Sequence, residues 1–250
     1  MNFPCWRPLL TVWMAAAALA TPSGPAFSTE LDSATFKIYL NGHPLGRELY
    51  RLESAGDTLT VYAQAQLVLP GPVTGDTLIK SMRMVADAFD FDIRRYESFQ
   101  RFRGQKLNRA LMTHDTSMVV YREVDGAGTS DTYARPPGRL FVLDGQVFSS
   151  FELMCRALHG REFKTRQMHV FALSAHDLLT EFTATDLGTE VLPWGGRPVT
   201  TRKLSITDQH NRYLVWMGPT GHMLKLEMSE GGLRLDREPP PFKRPKKSKE

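Results

Sequence analysis

The sequence predicts a mainly β protein: a long curved antiparallel meander, of half-barrel or open-barrel type, with one short helix packed on its concave side. Three observations carry that expectation. Apolar and polar residues alternate through most of the chain from Thr35 onward, the period-two pattern of half-buried strands. Turn signals built on Gly, Pro, Asn and Asp recur at short intervals between those runs. One segment alone, FSSFELMCRALHG, switches to the three-and-four spacing of an amphipathic helix. Roughly ten or eleven strands in one sheet exceed the usual size, so the sheet is expected to curl rather than lie flat.

Taken in order, the chain opens on MNFPCWRP followed by LLTVWMAAAALA, a twelve-residue apolar run. That is shorter than the roughly 20 residues of a spanning helix and matches the core of a signal peptide. A small-x-small site stands at Ala18-Leu19-Ala20 and a second ends at Ala26. Residues 1–20, or 1–26, are therefore expected as a leader, 27–34 as a linker and 35–230 as a single β-rich domain, exported to the periplasm or secreted. Cys5 falls in the leader, which leaves Cys155 without an internal disulfide partner, so packing must hold the fold.

The first domain run, TFKIYLNGHPLGRELYRLES, places Phe36, Ile38 and Leu40 on one face, turns at Asn41-Gly42, and returns with Glu48, Tyr50 and Leu52 opposed to Arg47, Leu49 and Arg51. GDTLTVYAQAQLVLPG continues the meander, with Leu59, Val61, Ala63, Ala65, Leu67 and Leu69 on its apolar side. In AFDFDIRRYESFQRFRG, Phe89, Phe91 and Ile93 alternate with Asp90, Asp92 and Arg94, and the phase slips near Tyr96 as at a bulge. Further strands are expected at KLNRALMT, SMVVYREV, TSDTYARP and GRLFVLDG, and later at FKTRQMHVFALS, LLTEFTATDLGTEVLPW and PVTTRKLSIT. LVWMGPTGHMLKLEM, Leu214 to Met228, reads as a hairpin about Gly-Pro-Thr-Gly. The single helix sets Phe151, Met154, Cys155 and Leu158 on one stripe. Ser149 and Glu152 form a capping box, Phe148 staples onto Leu153, and Gly160 marks the stop.

The net charge of +4 is carried at the ends: Arg7 lies in the leader and Glu238–Glu250 adds three positive charges, so the domain between is formally neutral. That tail, EPPPFKRPKKSKE, is too polar and Pro-rich to offset the entropy of ordering, and residues 238–250 are expected to be disordered. Its cations Lys243, Arg244, Lys246, Lys247 and Lys249 suit an anionic membrane surface.

With these elements assigned, the chain resembles a family of exported bacterial proteins catalogued as a domain of unknown function. The resemblance rests on a G-x-x-x-G strand pair (Gly42, Gly46), a serine-led helix (Ser149, Ser150), a G-x-E strand (Gly188, Glu190) before a Gly-containing turn (Gly195, Gly196), and a Trp strand (Trp216) followed by a turn and a final strand. It covers about Phe36 to Met228. It implies a long sheet wrapped partly around a helix, similar to the half-barrel of periplasmic lipoprotein carriers, and brings no catalytic residues. The PWGGR loop and the Pro-rich tail are not part of the pattern.

Motifs for chemistry are sparse. His43, His114, His159, His169, His176, His210 and His222 show no i, i+4 or H-x-H pair, so no metal site or other cofactor is expected. Cys155 lies on the apolar stripe of the helix and reads as a small hydrophobe. No G-x-S-x-G elbow is present, and neither Glu181 with Asp186 nor Asp90 with Asp92 is placed to raise a pKa, so no catalytic residue is assigned. RRYESFQRFRGQK interleaves five cations with Tyr96, Phe99 and Phe102, a composition known from polyanion sites, but an exported chain seldom meets nucleic acid and none is expected as a partner. Gly126-Ala127-Gly128 lacks the remainder of any phosphate-loop fingerprint.

A curled sheet presents more apolar face than a helix of about eleven residues covers, and either loops fill the rest or a cavity remains. The expected function is therefore a non-catalytic envelope protein that binds a hydrophobic or amphiphilic ligand such as a lipid. Tyr39, Tyr62, Met82, Met84, Met154 and Trp216 are the adaptable bulky side chains expected to line the cavity. The alternative is a structural or protein-interaction module with a fully packed core, marked by an exposed apolar patch.

Overall fold

The computed structural model describes residues 28–69, 76–174 and 176–240. The expected leader with its cleavage sites, and the tail cations Lys243, Arg244, Lys246, Lys247 and Lys249, lie outside the described residues. In chain order the elements are β1 (Thr29–Leu40), β2 (His43–Ala55), β3 (Thr58–Leu69), β4 (Asp76–Asp87), β5 (Ile93–Phe102), β6 (Gln105–Thr113), β7 (Ser117–Val124), β8 (Ala127–Ala134), β9 (Leu140–Asp144), α1 (Ser149–Leu158), β10 (Thr165–Leu173), β11 (Leu178–Trp194), β12 (Arg197–Thr207), β13 (Arg212–Met217), β14 (Met223–Met228) and β15 (Leu233–Arg237). Within the described residues they form a single open sheet of 15 strands in the order β8-β7-β6-β5-β4-β3-β2-β1-β15-β14-β13-β12-β11-β10-β9.

The curvature follows from chain connectivity. The first eight strands step outward from β1 to one edge, and the last seven step inward from the other edge until β15 pairs with β1. Laid flat, strands about 4.8 Å apart would separate the two edges by nearly 70 Å. Only Arg135 to Arg139 join β8 to β9, and an extended segment of that length reaches about 20 Å. The sheet must therefore curl until its edges approach. Side chains bridge the gap: Arg135 pairs with Asp92, the Leu140 amide donates to Asp92 Oδ1 at 2.8 Å, Arg122 pairs with Asp177, and the Tyr133 and Phe171 rings meet edge to face at 5.0 Å.

The helix lies inside the concavity, and all of its residues except Arg156 are buried. It joins β9 to β10, which run parallel; a parallel pair needs such a crossover, so the meander is not antiparallel throughout as expected. Facing the helix are the alternating residues of each strand, among them Phe36, Ile38, Tyr50, Leu52, Val61, Ala65, Met84, Leu204, Val215 and Leu226.

Several expectations need correction. Fifteen strands replace the expected ten or eleven, the unforeseen ones including β4 and β15. The linker placed at 27–34 gives way to β1 from Thr29, and the domain runs past 230 through β15 to Arg237. Phe89 and Phe91 belong to the β4–β5 turn: Asp87 Oδ1 accepts the amides of Phe89 and Asp90, Asp90 Oδ1 accepts that of Asp92, and Phe89 stands 79% exposed. Asp92 is accordingly a half-buried turn residue that holds Arg135 and the Leu140 amide rather than a solvated strand residue. The capping box is also not formed, since the N-cap of α1 is Phe148 with no side-chain cap bond.

Candidate functional site: a cleft beside the helix start

Where α1 begins, the concave face is left partly uncovered and forms a cleft of about 550 Å³ open on one side, within the range of about 300–1,000 Å³ usual for small-molecule sites. Its apolar wall comes from Leu107, Val147, Phe148, Phe151, Phe182 and Tyr213, with Met228 and Leu233 beyond. Three rings are mutually ordered: Phe151 and Tyr213 at 4.8 Å, and Phe182 stacked on Tyr213 at 6.2 Å and 17°. Each comes from a different element because strand alternation turns Phe182 and Tyr213 inward and the helix stripe turns Phe151 toward them.

The opposite wall is polar and is organised around Asp144, the last residue of β9. Its Oδ1 accepts from Lys80 Nζ at 2.5 Å and Arg109 Nη1 at 2.8 Å, and its Oδ2 accepts from Tyr96 Oη and Ser98 Oγ, both at 2.8 Å. Lys80 also donates to the Gly145 carbonyl at 2.6 Å. Burial depresses the pKa of the Lys80 ammonium, and the Asp144 carboxylate counteracts it. Arg109 reaches across to the carbonyls of Leu173 and Ser174, each at 3.2 Å, tying β6 to the end of β10.

The helix start is held from the sheet. Glu48, fully buried on β2, accepts the Phe148 amide at 2.7 Å and the Ser149 amide at 2.9 Å, and so takes the place of the expected local cap. Burial pushes its carboxyl up to about 7 although both amides favour the ionised form. Glu152 points the other way, accepting the Met223 amide at 2.7 Å and Arg237 at 3.2 Å.

Glu152 belongs to a second buried cluster at the far side of the helix. Ligand atoms of Asp32, Glu152 and His222 lie within 4.8 Å of one another, a grouping of the kind that holds a metal ion. Here guanidinium groups supply the positive charge: Arg156 lies 2.6 Å from Asp32 and 3.1 Å from Glu152, and Arg237 lies 2.6 Å from Asp32. Burial opposes ionisation of Asp32, but hydrogen bonds from His222 and Arg237 outweigh it and hold the carboxyl well below its usual range. Asp32 and then Glu152 raise the His222 pKa. The cluster pins α1 to β1, β15 and the β13–β14 turn. Cys155 is wholly buried beside it, and burial raises its thiol pKa well above normal.

None of the six side chains expected to line a cavity borders this cleft. Met82, Met84 and Met154 face inward but are packed into the core. Tyr39, Tyr62 and Trp216 point to the convex side. Arg234 lies 4.4 Å over Tyr39 and Arg51 lies 4.8 Å over Tyr62, and Trp216 is covered by Lys203 at 4.6 Å and Lys225 at 4.5 Å. The hairpin turns Val215 inward and Trp216 outward by strand alternation. Of the carboxylate pairs considered, Asp186 joins Arg202 at 2.8 Å while Glu181 is solvent-exposed.

The residues that do shape the site left faint traces in the sequence. Lys80 occupies an apolar position in LIKSMRMVA, and Glu48 shares its face with Tyr50 and Leu52. A charge in phase with the core is the signal that was there to find. Nothing local links either residue to Asp144 or the helix, because those contacts span 64 and more residues.

No family model and no curated protein sequence matches the chain. Among solved structures, a DUF1089 family protein from Pseudomonas aeruginosa is a distant neighbour, with 11% identity and a TM-score of 0.45 over 71% of this chain and 87% of that one.

Proposed function

We propose that this protein is a non-catalytic, exported envelope protein that binds a hydrophobic or amphiphilic ligand, such as a lipid, in the cleft beside the start of α1. The carrying observation is the cleft itself: an aromatic and aliphatic wall faces a polar one across about 550 Å³ with access to solvent. Its volume suits a small-molecule site, and three ordered rings line it. The titratable groups around it are engaged in holding β9, β10 and α1 in place, a positioning role consistent with binding rather than turnover. Export is inferred from the leader-like N-terminus, and the basic tail supplies a second means of approach to anionic membrane surfaces.

Ala172 lies on the cleft wall and offers a way to fill it. Native mass spectrometry of the full chain from a detergent-free periplasmic preparation should show a lipid-sized adduct, identifiable by organic extraction. Ala172→Trp should remove that adduct while the far-UV circular dichroism stays unchanged. A clean apo mass that takes up no added amphiphile would overturn the proposal. The interaction-module reading keeps one supporting feature, the exposed Phe99, Met112 and Tyr121 on the convex side of β5–β7. It would gain from the apo result and a stable protein partner bound there.

A further inference from the structure

At the polar wall of the cleft two cations share one carboxylate. Along neighbouring positions of β4, β6 and β7, the inward side chains Lys80, Arg109 and Arg122 face two carboxylates, Asp144 and Asp177. Asp144 thus serves both Lys80 and Arg109, while Arg122 has Asp177. Glu48 is the next carboxylate toward Lys80, but both its oxygens are committed to the helix amides, and burial raises its pKa to about 7, so it gives less than a full countercharge. Asp208, the other carboxylate of the lining, keeps its charge within its own loop, accepting the amides of His210 and Asn211 and the Asn211 side chain and pairing with none of these cations.

That shared carboxylate stands at the cleft. Arg109 is the cation of this group that lines the space, with Gln100, Gln146 and Ser174 around it. Besides its ion pair with Asp144, its two carbonyl contacts are at 3.2 Å, and its buried Nε has no hydrogen-bond partner among the described residues. A guanidinium carries five donors in a planar fork suited to carboxylate or phosphate oxygens. The aromatic wall stands opposite and is suited to an apolar chain.

We propose that the ligand is a single-chain amphiphile with an anionic head group, its carboxylate or phosphate oxygens seated against Arg109 between Gln100, Gln146 and Ser174 and its chain lying along Phe151, Phe182 and Tyr213. This rests on the cleft being a ligand site and goes beyond it by naming the head-group chemistry.

The test is a titration of the full chain with palmitate, hexadecyl phosphate and hexadecanol, which share a chain and differ in the head group. The anions should bind at least tenfold tighter than the alcohol. Gln100→Glu places a carboxylate at the register neighbour of Lys80. It should weaken anion binding by about tenfold and weaken the alcohol several-fold less. Arg109→Gln should do the same, and Gln100→Glu keeps the test decisive if loss of Arg109 unfolds the chain. Preference between carboxylate and phosphate would distinguish a fatty acid from a phosphorylated lipid. Equal affinity for alcohol and anions, unmoved by Gln100→Glu, would overturn the head-group assignment but leave the cleft reading standing. Failure of all three probes would overturn both.

Discussion

Glu48 shows how one residue links sheet and helix. It stands where alternation calls for an apolar side chain, and its carboxylate receives the amides of a helix that begins 100 residues later. Its folded pKa, about 7 against an ordinary 4.5, means the native state binds more protons than the unfolded one between those values. Stability therefore falls as pH rises through that window, by at most about 1.4 kcal/mol per pH unit. His222 acts in the same direction: with its pKa raised from 6.5, its contribution is fully present below 6.5 and lost as pH rises through the folded value. Asp32 acts oppositely. Its depressed pKa gives stability that is present above 3.8 and lost as pH falls through the folded value. Thermal unfolding should thus show its highest midpoint near pH 4 and a decline toward pH 8, and Glu48→Gln should flatten the part between about pH 4.5 and 7. Parallel profiles for the two proteins would refute the burial of a titrating carboxyl at the helix start.

At the scale of elements, the β1–β2 hairpin explains the spacing of Gly42 and Gly46. Asn41 and Gly42 both have left-handed backbone, φ 50° and 80°, as a two-residue hairpin turn requires. Gly46 serves a different purpose: a Cβ there would lie 2.0 Å from the Gln66 carbonyl oxygen and 2.9 Å from Leu67 Cα. The β1–β2 ladder shifts register just beside it, between Ile38 and Tyr39. Gly46→Ala should cost about 1–3 kcal/mol, the usual range for overpacking, and lower the urea midpoint without changing the slope. An unchanged midpoint would show that β2 and β3 do not approach this closely.

For the whole molecule, the decisive joint is the β1–β15 ladder, Phe36–Leu40 against Leu233–Arg237, which joins the β1–β8 half to the β9–β15 half within the sheet. Ile38, Leu235 and Leu226 are aligned across it, and all three are buried. Leu235→Ala should cost about 2–5 kcal/mol. Because the sheet is continuous and α1 is tied to both halves, the loss should appear as one shifted transition. Tryptophan fluorescence from Trp194 and Trp216, both in the second half, and far-UV circular dichroism from the whole sheet should coincide. Separate transitions would mean that the halves unfold independently.

By itself the sequence determined what depends on near neighbours. Period-two alternation identified most strands and the faces of β1, β2 and β3, three-and-four spacing placed the helix, and the number of strands required a curled sheet. The alternation failed where a charge replaced an apolar residue, as at Lys80, so β4 went unread, and in β15 only Leu233 and Leu235 carry the pattern. The DAFDFD stretch looked like a strand because its aspartates alternate, although they form turn bonds to backbone amides. Only the tertiary structure decided that β15 joins β1, that Glu48 rather than Ser149 and Glu152 caps α1, and that Lys80, Arg109 and Asp144 meet beside a ring-lined cleft. Those outcomes depend on side chains separated by tens to hundreds of residues along the chain, brought together when the sheet curls far enough for a five-residue connection to join its edges.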